Sequence, residues 1–576
     1  MTGFRIEHAR FHTREIKAWL ASSGRLANWP VVYTLTGDDQ VYVGESLNVA
    51  NRMKQHRESG TKEHVREMRV VIDETFNKSV CLDLESHLIR WFAGDGKLKV
   101  LNHNSGITDA DYYDRTAYRQ TFADIFAEMR AQNLFTRSIP EIENSDLFKL
   151  SPFKTLTEDQ AVAVEDIVSG LLEDLASPSP ANGGTIVVQG SAGTGKTVVG
   201  IYLLKLLRDI AESIEGDEPD QDSIFSEFFV REHRDQLAAT TMAMVVPQQS
   251  LRKSVERVFK KTPGLQRIDV LSPVQLGRRS ALYDLVIVDE AHRLNQRANQ
   301  SSPAQNRAFT EVNETLFGAD SDKYTQLDWI VARSRHRILL LDENQSVRPA
   351  DLPTPRVRGV ISGARSTHRY YPLTSQMRVK AGDDYIPFIR DLLEGITPAI
   401  KRSFGAYDFR LFDDISELRS EIRRLDTNVG LARLVAGFAW DWKTKTDKTR
   451  YDIELGGERL RWNQTDKDWI NSAGAVDEVG SIHTVQGYDL NYTGVIIGPD
   501  LRYDEDRDAI IFDRASYRDK KGKENNPRLG VVYSDDDLLR YVRNIYAVLL
   551  TRGMRGTFIY VCDPPLREYL RQRMPG

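Results

Sequence analysis

Hydrophobic and polar positions follow two different patterns along the chain, with a change near residue 156. Before that point, two short β-rich runs at residues 31–35 and 41–43 flank a Gly-Asp turn and predict a hairpin. Apolar residues then recur three and four apart, which predicts helices over residues 48–57, 79–92 and 118–132. We therefore expect a small mixed α+β domain at residues 1–115, followed by a helical connector at residues 116–155.

After residue 156, strand-like and helix-like segments alternate. Each strand-like run is short and apolar, and the loop after it carries polar or acidic residues. The runs cover residues 185–189, 242–246, 267–271, 285–289 and 338–342, with a second series at 429–436, 494–498 and 556–562. This alternation predicts an α/β fold built on parallel sheets, with functional groups at the carboxyl ends of the strands.

A phosphate-binding loop follows the first of these runs. Residues 190–197 read Gly-Ser-Ala-Gly-Thr-Gly-Lys-Thr and lie between a predicted strand and a predicted helix, which is the context the motif requires. Gly190, Gly193 and Gly195 let backbone N–H groups approach phosphate oxygens, and the following helix N-terminus adds partial positive charge. Lys196 would reach the outer phosphates, and the Thr197 hydroxyl would bind magnesium. The loop predicts that the chain binds a nucleoside triphosphate.

Composition says more about the cellular setting than about the ligand. The 576 residues carry 78 Lys and Arg against 83 Asp and Glu, and the net charge of −5 is neutral on nucleic-acid binding, because local basic tracks matter more than totals. Cys81 and Cys562 stand far apart, without disulfide or zinc-ligand spacing. The start of the chain has no signal pattern, and no apolar run approaches the roughly 18 residues of a membrane helix. We expect a cytoplasmic protein without a membrane partner.

Two of the apolar runs end in groups suited to ATP hydrolysis. The first ends in Asp289-Glu290, where Asp289 would hold magnesium through water and Glu290 would activate the attacking water. The second, at residues 339–345, ends in Gln345, which could sense the terminal phosphate. The alternative is a pair of buried strands capped by solvated turns. Because both runs follow a phosphate loop, we favour the ATPase interpretation.

Further motifs extend this pattern over residues 150–565. Two segments precede the acidic strand ends or flank them: residues 156–160 read Leu-Thr-Glu-Asp-Gln, and residues 245–251 read Val-Val-Pro-Gln-Gln-Ser-Leu. Three follow: residues 373–378 read Leu-Thr-Ser-Gln-Met-Arg, residues 481–489 read Ser-Ile-His-Thr-Val-Gln-Gly-Tyr-Asp, and residues 548–555 read Val-Leu-Leu-Thr-Arg-Gly-Met-Arg. Their order and wording resemble superfamily 1 helicases, in the bacterial branch akin to the Schlafen helicase-like domain. Asp489 stands where that family usually has glutamate, and Arg555 is an alternative to Arg552 in the last motif.

The resemblance implies two RecA-like domains, at residues 156–365 and 366–576, with ATP and Mg²⁺ in the cleft between them. The amide of Gln160 would pair with adenine, and the segment at 245–251 would contact nucleic acid. The first domain would contribute Gln160, Lys196, Thr197, Asp289, Glu290 and Gln345, and the second would contribute Arg378, Gln486, Gly487 and Arg552. An arginine that crosses a cleft is worth roughly 10³–10⁵ in rate, so hydrolysis would be tied to cleft closure.

A second set of residues lies in the first hundred positions. Two tyrosine-containing triplets precede a helix with basic residues, and two further polar residues come later. The set comprises Tyr33, Tyr42, Arg52, His56, Glu85 and Asn102. Its order and spacing resemble the GIY-YIG nuclease domain, although Val31-Val32 replace Gly-Ile in the first triplet.

This resemblance implies a metal-dependent endonuclease. Phosphodiester cleavage needs a metal, a base for water and a cation for the oxyanion. Glu85 would bind one Mg²⁺ or Mn²⁺ ion, and Arg52 would clamp the scissile phosphate. Tyr33, assisted by Tyr42 or His56, would deprotonate water, provided that the metal or Arg52 lowers its pKa from about 10.

Asn102 would orient this site rather than react. Two alternatives stay open for the whole set. One is a hairpin domain whose tyrosines are half-buried strand aromatics and whose charged residues form a solvated face. The other is a nuclease-like fold that binds DNA without cutting it.

The two sets together predict an ATP-dependent nuclease–helicase that moves on or unwinds nucleic acid, DNA in preference to RNA, and cleaves it. A bacterial role in anti-phage defence or DNA processing is a hypothesis from the domain pairing alone. The alternatives are a nucleic-acid-stimulated ATPase switch and an RNA-directed helicase with a non-cleaving nuclease-like domain. Basic clusters at residues 252–261 and 278–279 are candidate contacts, and the aromatic group at 438–442 with Trp462 either stacks bases or packs a core.

Overall fold

A computed structural model shows two compact units, the first formed by residues 1–179, 197–242 and 254–269 and the second by residues 180–196, 243–253 and 270–576. The residues that the structure describes are 3–12, 28–58, 64–102, 111–176, 184–213, 224–298, 300, 302–396, 402–465, 469–472, 474–485 and 488–574. Each unit is built around its own buried clusters of hydrophobic side chains.

A five-stranded sheet organises the first unit. Its strands are β1 (Phe4–Arg10), β2 (Val31–Thr36), β3 (Gln40–Ser46), β4 (Glu67–Asp73) and β5 (Lys99–Val100), in the order β1-β4-β2-β3-β5. The predicted hairpin is the antiparallel pair β2–β3, in which Tyr33 lies opposite Gly44. Strand β1 alternates half-buried and exposed positions, and β4 is buried along most of its length. Neither of these two strands was expected from the pattern.

Helices cover both faces of this sheet. The helices of the first unit are α1 (Val49–Glu58), α2 (Lys78–Asp95), α3 (Arg115–Ala131), α4 (Ile139–Glu143), α5 (Asp146–Lys149), α6 (Glu158–Ala176), α7 (Lys196–Glu212), α8 (Arg231–Ala238) and α9 (Gln249–Lys261), with Lys196 and the first turn of α9 counted in the second unit. Tyr33 clusters with Val49 and Met53 of α1, whereas Val32 clusters with Leu84 of α2. Because successive strand residues face opposite sides, β2 is buried throughout and directs Tyr33 toward α1.

The predicted connector shares a core with the predicted small domain. Phe122, Ile125 and Phe126 of α3 lie in the same buried cluster as Leu84 and Leu88 of α2. The expected boundary at residue 115 therefore falls within one continuous core, because the apolar face of α3 is buried against α2.

The second unit begins with a six-stranded sheet. Its strands are β6 (Thr185–Gly190), β7 (Met242–Val245), β8 (Asp269–Leu271), β9 (Tyr283–Val288), β10 (Ser334–Leu341) and β11 (Tyr370–Leu373), in the order β11-β6-β10-β9-β7-β8. Strand β6 pairs parallel with β10 and β11, and β10 pairs parallel with β9. All five strands predicted for residues 185–342 are present in this sheet.

Strand β11 corrects one expectation. The predicted domain boundary at residue 365 placed this segment in the domain that follows the six-stranded sheet. Strand β11 instead pairs with β6 and forms one edge of that six-stranded sheet. Its residues are mostly half-buried or exposed, so no apolar run marks the strand in the sequence.

A four-stranded sheet forms the second half of the unit. The remaining strands are β12 (Asp408–Phe412), β13 (Ala432–Ala436), β14 (Ile453–Leu455), β15 (Glu458–Trp462), β16 (Glu478–Val479), β17 (Leu490–Ile497), β18 (Leu501–Asp504), β19 (Ala509–Phe512) and β20 (Gly553–Val561). The main sheet has the order β12-β20-β17-β13 with all neighbours parallel, and β14-β15-β16 and β18-β19 form two small sheets.

Helices pack on both faces of the main sheet. The helices of the second unit are α10 (Pro273–Gly277), α11 (Pro303–Phe317), α12 (Gln326–Ala332), α13 (Thr354–Ser366), α14 (Tyr385–Glu394), α15 (Ile415–Val429), α16 (Ile482–Val485), α17 (Asp535–Leu550) and α18 (Pro564–Arg573). The predicted fold class is confirmed: a small α+β domain precedes two parallel-sheet domains.

Candidate active sites

The tyrosines of the first unit meet a histidine from α1. The Tyr33 hydroxyl lies 2.8 Å from His56 Nε2. The Tyr42 ring centroid is 6.2 Å from that of Tyr33 and 5.2 Å from that of His56. Arg52 precedes His56 by one helical turn on α1 and contributes a hydrogen bond and a positive charge to Tyr33.

Gly44 makes this close packing possible. A Cβ atom built on Gly44 would lie 2.4 Å from the Tyr33 hydroxyl, so only glycine leaves room for the tyrosine ring in the register of the hairpin. The glycine of the second triplet therefore serves the position of Tyr33.

Burial keeps the proton on Tyr33. It raises the pKa of this phenol well above its usual value, and the charges of Tyr42 and Glu85 act in the same direction. Arg52 lowers the pKa, as expected, but does not outweigh burial. Tyr33 is therefore a phenol at neutral pH, and its hydroxyl shares a hydrogen bond with His56 Nε2.

Glu85 and Asn102 have different surroundings. The Glu85 side chain is buried on α2, and its charge influences both Tyr33 and Cys81. Asn102 is also buried: its Nδ2 donates to the Val43 carbonyl at 2.7 Å, and its Oδ1 accepts from Val43 N–H at 3.1 Å. Asn102 therefore holds the backbone of strand β3 at Val43, next to Tyr42.

A divalent metal suits this donor set. In the described part of the chain, no three His, Cys, Asp or Glu side chains are clustered to hold a metal on their own. Mg²⁺ and Mn²⁺ accept few protein carboxylates together with waters and phosphate oxygens. Glu85, a hard oxygen donor in a buried position, fits that mode of binding.

In the second unit, the phosphate loop connects β6 to α7. Gly193 and Gly195 adopt positive φ angles of 88° and 79°. Lys196 Nζ is buried and donates to the carbonyls of Gly190 at 2.7 Å and Ser191 at 2.9 Å. Thr197 follows in the first turn of α7.

Acidic residues lie at the carboxyl ends of β9 and β10. Glu290 N–H donates to Asp289 Oδ1 at 3.0 Å, and Glu290 has a positive φ of 50°. Gln345 Nε2 donates to Asp342 Oδ2 at 2.7 Å, and the Asp342 N–H donates to His292 Nδ1 at 3.2 Å. Asp342 therefore links Gln345 to His292.

The charge of Glu290 is set by its neighbours. Burial alone would raise the pKa of Glu290, but His292, Lys196 and Arg552 outweigh burial and hold that pKa well below its ordinary value. His292 Nε2 lies 3.2 Å from Glu290 Oε2. Glu290 is therefore ionised at neutral pH.

Two arginines converge on the same place. Arg378 Nε pairs with Asp489, and the buried Arg552 donates through Nη1 to the Tyr488 carbonyl at 3.3 Å. Burial and the charge of Arg378 lower the pKa of Arg552 to about 9, while Asp489 and Glu290 oppose that shift. Asp489, the departure from the usual glutamate, thus still pairs with an arginine.

Comparison with protein-family models identifies the chain. Residues 184–563 match the model described as Schlafen group 3, DNA/RNA helicase domain, and this match covers more than half of the chain. The chain belongs to the Schlafen group 3 helicase family. Residues 30–98 match the GIY-YIG catalytic domain, so this Schlafen group 3 helicase carries the fusion expected from its sequence.

Relatives of this Schlafen group 3 protein are distant. The uncharacterised protein YPL245W of Saccharomyces cerevisiae is 26% identical over 474 residues, covering 75% of this chain and 93% of the yeast protein. The ATP-dependent DNA helicase RecG of Synechocystis is 28% identical over 159 residues, covering 26% of this chain and 17% of RecG. The structure of Pif1 helicase from Candida albicans aligns with a TM-score of 0.21 at 15% identity, over 48% of this chain and 55% of Pif1.

Several predicted residues lie outside the two groups of side chains described above. Gln486 and Gly487 lie outside the described residues. Gln160 is buried in α6 of the first unit, and its Oε1 accepts from Thr157 N–H at 3.1 Å. Trp462 is only 2% exposed and packs its ring 5.0 Å from Phe438, so core packing accounts for this tryptophan and base stacking does not.

Three residues that contact the predicted ATP-binding residues were not singled out from the sequence. His292 and Asp342 had a signal, since each stands at the polar end of an apolar run. Gln376 had a weaker one, two positions before Arg378.

Of the helices in the described part of the chain, none has the length and apolar character of a bilayer-spanning segment.

Proposed function

We propose that this chain is an ATP-dependent nuclease–helicase whose motor hydrolyses ATP and whose GIY-YIG domain cuts DNA. The convergence of Lys196, Glu290, Arg378 and Arg552 supports the motor, because these charges would be costly to bury together without a polyphosphate ligand. The contact between Tyr33 and His56 supports a working nuclease.

In the motor, Lys196 would leave its loop carbonyls and bind the outer phosphates of ATP. Thr197 and Asp289 would hold magnesium, which neutralises phosphate charge when bound. The ionised Glu290 would orient and deprotonate the attacking water. Arg378 and Arg552 would stabilise the charge that develops on the transferred phosphoryl group.

Gln160 and Gln345 complete the proposed ATPase residues. Gln160 would pair with adenine, and Gln345 would sense the terminal phosphate through Asp342. Gln486 and Gly487 remain proposed participants on the strength of the helicase motif alone.

In the nuclease, Tyr33 and His56 would work as a relay. Water would give its proton to the Tyr33 oxygen while Tyr33 passes its own proton to His56 Nε2. The hydroxide formed would attack phosphorus, and the bond from phosphorus to the departing sugar oxygen would break, with that oxygen taking a proton from solvent water. Arg52 would stabilise the oxyanion. Glu85 would hold the Mg²⁺ or Mn²⁺ ion, which supplies Lewis-acid stabilisation when bound. Tyr42 would pack beside His56, and Asn102 would hold β3 in place.

The proposal is tested with purified wild type, Lys196→Ala and Glu85→Ala. Each is incubated with plasmid, single-stranded DNA or RNA, with magnesium, and with or without ATP. We expect Glu85→Ala to lose cleavage and keep ATP hydrolysis, and Lys196→Ala to lose ATP hydrolysis. Absence of cleavage by wild type on every substrate would overturn the proposed nuclease activity. Greater stimulation of ATP hydrolysis by RNA than by DNA would overturn the proposed preference for DNA.

The Lys196→Ala variant also separates two ways of coupling. Loss of cutting would show that the motor drives the nuclease, and increased cutting would show that ATP turnover restrains it. For the biological role we propose defence against phage or processing of damaged DNA. Unchanged phage sensitivity and DNA-damage tolerance in a deletion strain would contradict that role.

A further inference from the structure

Gln376 and its neighbour Met377 contact backbone carbonyls of the phosphate loop. Its Nε2 donates to the Ala192 carbonyl at 2.7 Å, and the next residue, Met377, donates its N–H to the Gly193 carbonyl at 3.0 Å. Gly193 has no room for a side chain, since a Cβ atom there would lie 2.1 Å from Gln376 Oε1. The loop and the Gln376 side chain are therefore in direct contact.

The same side chain fixes the backbone of the first arginine. Gln376 Oε1 accepts from the N–H of Arg378 at 2.8 Å. Two residues further on, Lys380 N–H donates to the Met554 carbonyl at 2.9 Å, next to the segment that carries Arg552. The segment from Gln376 to Lys380 thus connects the phosphate loop with both arginines.

We propose that Gln376 is a positioning residue that couples the shape of the phosphate loop to the placement of Arg378 for ATP hydrolysis. The inference rests on the proposed ATPase and adds a device to it. When Lys196 leaves the Gly190 and Ser191 carbonyls for phosphate, the backbone of the loop adjusts. The hydrogen bonds of the Gln376 side-chain amide carry that adjustment to the backbone of Arg378. Neither Gln376 nor its amide needs to touch the nucleotide.

The direct test replaces the amide by groups that cannot donate. Gln376→Glu keeps the oxygen that accepts from Arg378 and loses the donor to Ala192, and Gln376→Ala removes both contacts. Because misplacement of a catalytic group by about 1 Å can cost 10²-fold, we expect kcat for ATP to fall about ten- to hundredfold while KM changes much less.

Gln236→Glu is the matched control. Gln236 Nε2 makes a similar bond, 2.8 Å to the Leu172 carbonyl, and Gln236 is not one of the proposed ATPase residues. We expect this variant to keep wild-type kcat and KM. Melting temperatures of all variants identify any that fail to fold. If one of the two Gln376 variants fails to fold, the other one is used for the test.

A double-mutant cycle with Arg378→Ala separates positioning from a general structural role. If Gln376 acts through Arg378, Gln376→Ala changes kcat less than about twofold in the Arg378→Ala background, because coupled residues are non-additive. Equal effects in both backgrounds, or a change in KM alone, would overturn the inference while leaving the ATPase intact. A wild type that hydrolyses no ATP with any nucleic acid would instead overturn the proposed function.

Discussion

The hydrogen bond between Tyr33 and His56 shows how burial decides the chemistry of a single residue. The tyrosine sits in the core of a two-sided sheet and keeps its proton, although Arg52 favours ionisation. In the proposed nuclease, Tyr33 therefore has to pass its proton onward, and His56 Nε2 lies 2.8 Å from its hydroxyl.

Replacing Tyr33 by phenylalanine tests this relay. The ring still fills its place over Gly44, but the hydroxyl is gone, so we expect DNA cleavage to fall about 10²–10⁴-fold, as for loss of a general acid–base group. ATP hydrolysis should stay at the wild-type rate. Cleavage and phosphate release are measured on the same sample, and retained cleavage would show that Tyr33 is only a core residue.

Asp500 is a residue whose protonation changes stability. It is buried, and its Oδ1 accepts from the Tyr546 hydroxyl at 2.6 Å. Burial raises its pKa to about 6. The folded state therefore binds a proton more tightly than the unfolded state, for which the ordinary pKa near 3.9 applies.

The sign of this effect predicts lower stability at higher pH. Between about pH 4 and pH 6 the folded state holds more protons, so the contribution of Asp500 to stability is lost as pH rises, by up to about 3 kcal/mol. The Asp500→Asn variant cannot titrate there. We expect the difference in unfolding free energy between wild type and variant to change across this range, as measured by urea unfolding. A difference that is constant with pH would contradict the prediction.

At the level of elements, helix α9 shows how one amphipathic pattern serves two purposes. Leu251, Val255 and Phe259 form its buried face. From the same helix, Ser254 Oγ donates to Asp146 Oδ2 at 2.7 Å and Arg257 Nη2 donates at 2.8 Å. Arg257, a candidate nucleic-acid contact in the sequence, therefore pairs with the first turn of α5.

Asp146→Ala tests the value of this contact. The change removes the carboxylate that accepts from the buried Ser254 hydroxyl and from Arg257, so we expect the first unit to lose about 1–3 kcal/mol of stability. The matched control is Asp235→Ala, which breaks a 3.8 Å pair with Arg231 between side chains that are 71% and 81% exposed. That change should be close to neutral. Thermal unfolding of both variants makes the comparison, and equal melting temperatures would contradict it.

At the level of the whole molecule, the small α+β domain does not end where its motifs end. Side chains of α3 and of the segment after it complete the core around α2, up to the half-buried Phe153. The hydrophobic free energy of these residues is available only if the chain extends through them.

Two fragments test this boundary. We expect residues 1–155 to fold on their own and residues 1–115 to remain unfolded or aggregate, since the shorter fragment exposes the face of α2 that α3 covers. Circular dichroism and limited proteolysis compare the two. A folded 1–115 fragment with a cooperative melting transition would restore the boundary predicted from the pattern.

Local patterns were sufficient for the elements whose chemistry or burial is continuous in sequence. The phosphate loop, the apolar strands and the tyrosine hairpin were all predicted because each consists of neighbouring residues with one period or one motif. Strands β1 and β11 were missed because their positions are only partly buried. Strand β4 is buried but was missed because charged residues interrupt its apolar run.

The sequence by itself determined the family, the two kinds of catalytic motif and the α/β fold, because these depend on ordered short-range signals. Only the tertiary structure decided that Tyr33 stays protonated, that Arg378 follows a strand of the first sheet, and that Gln376 touches the phosphate loop. Each of these depends on groups far apart in the chain. Burial, strand pairing and hydrogen bonding between such groups arise only when the chain folds.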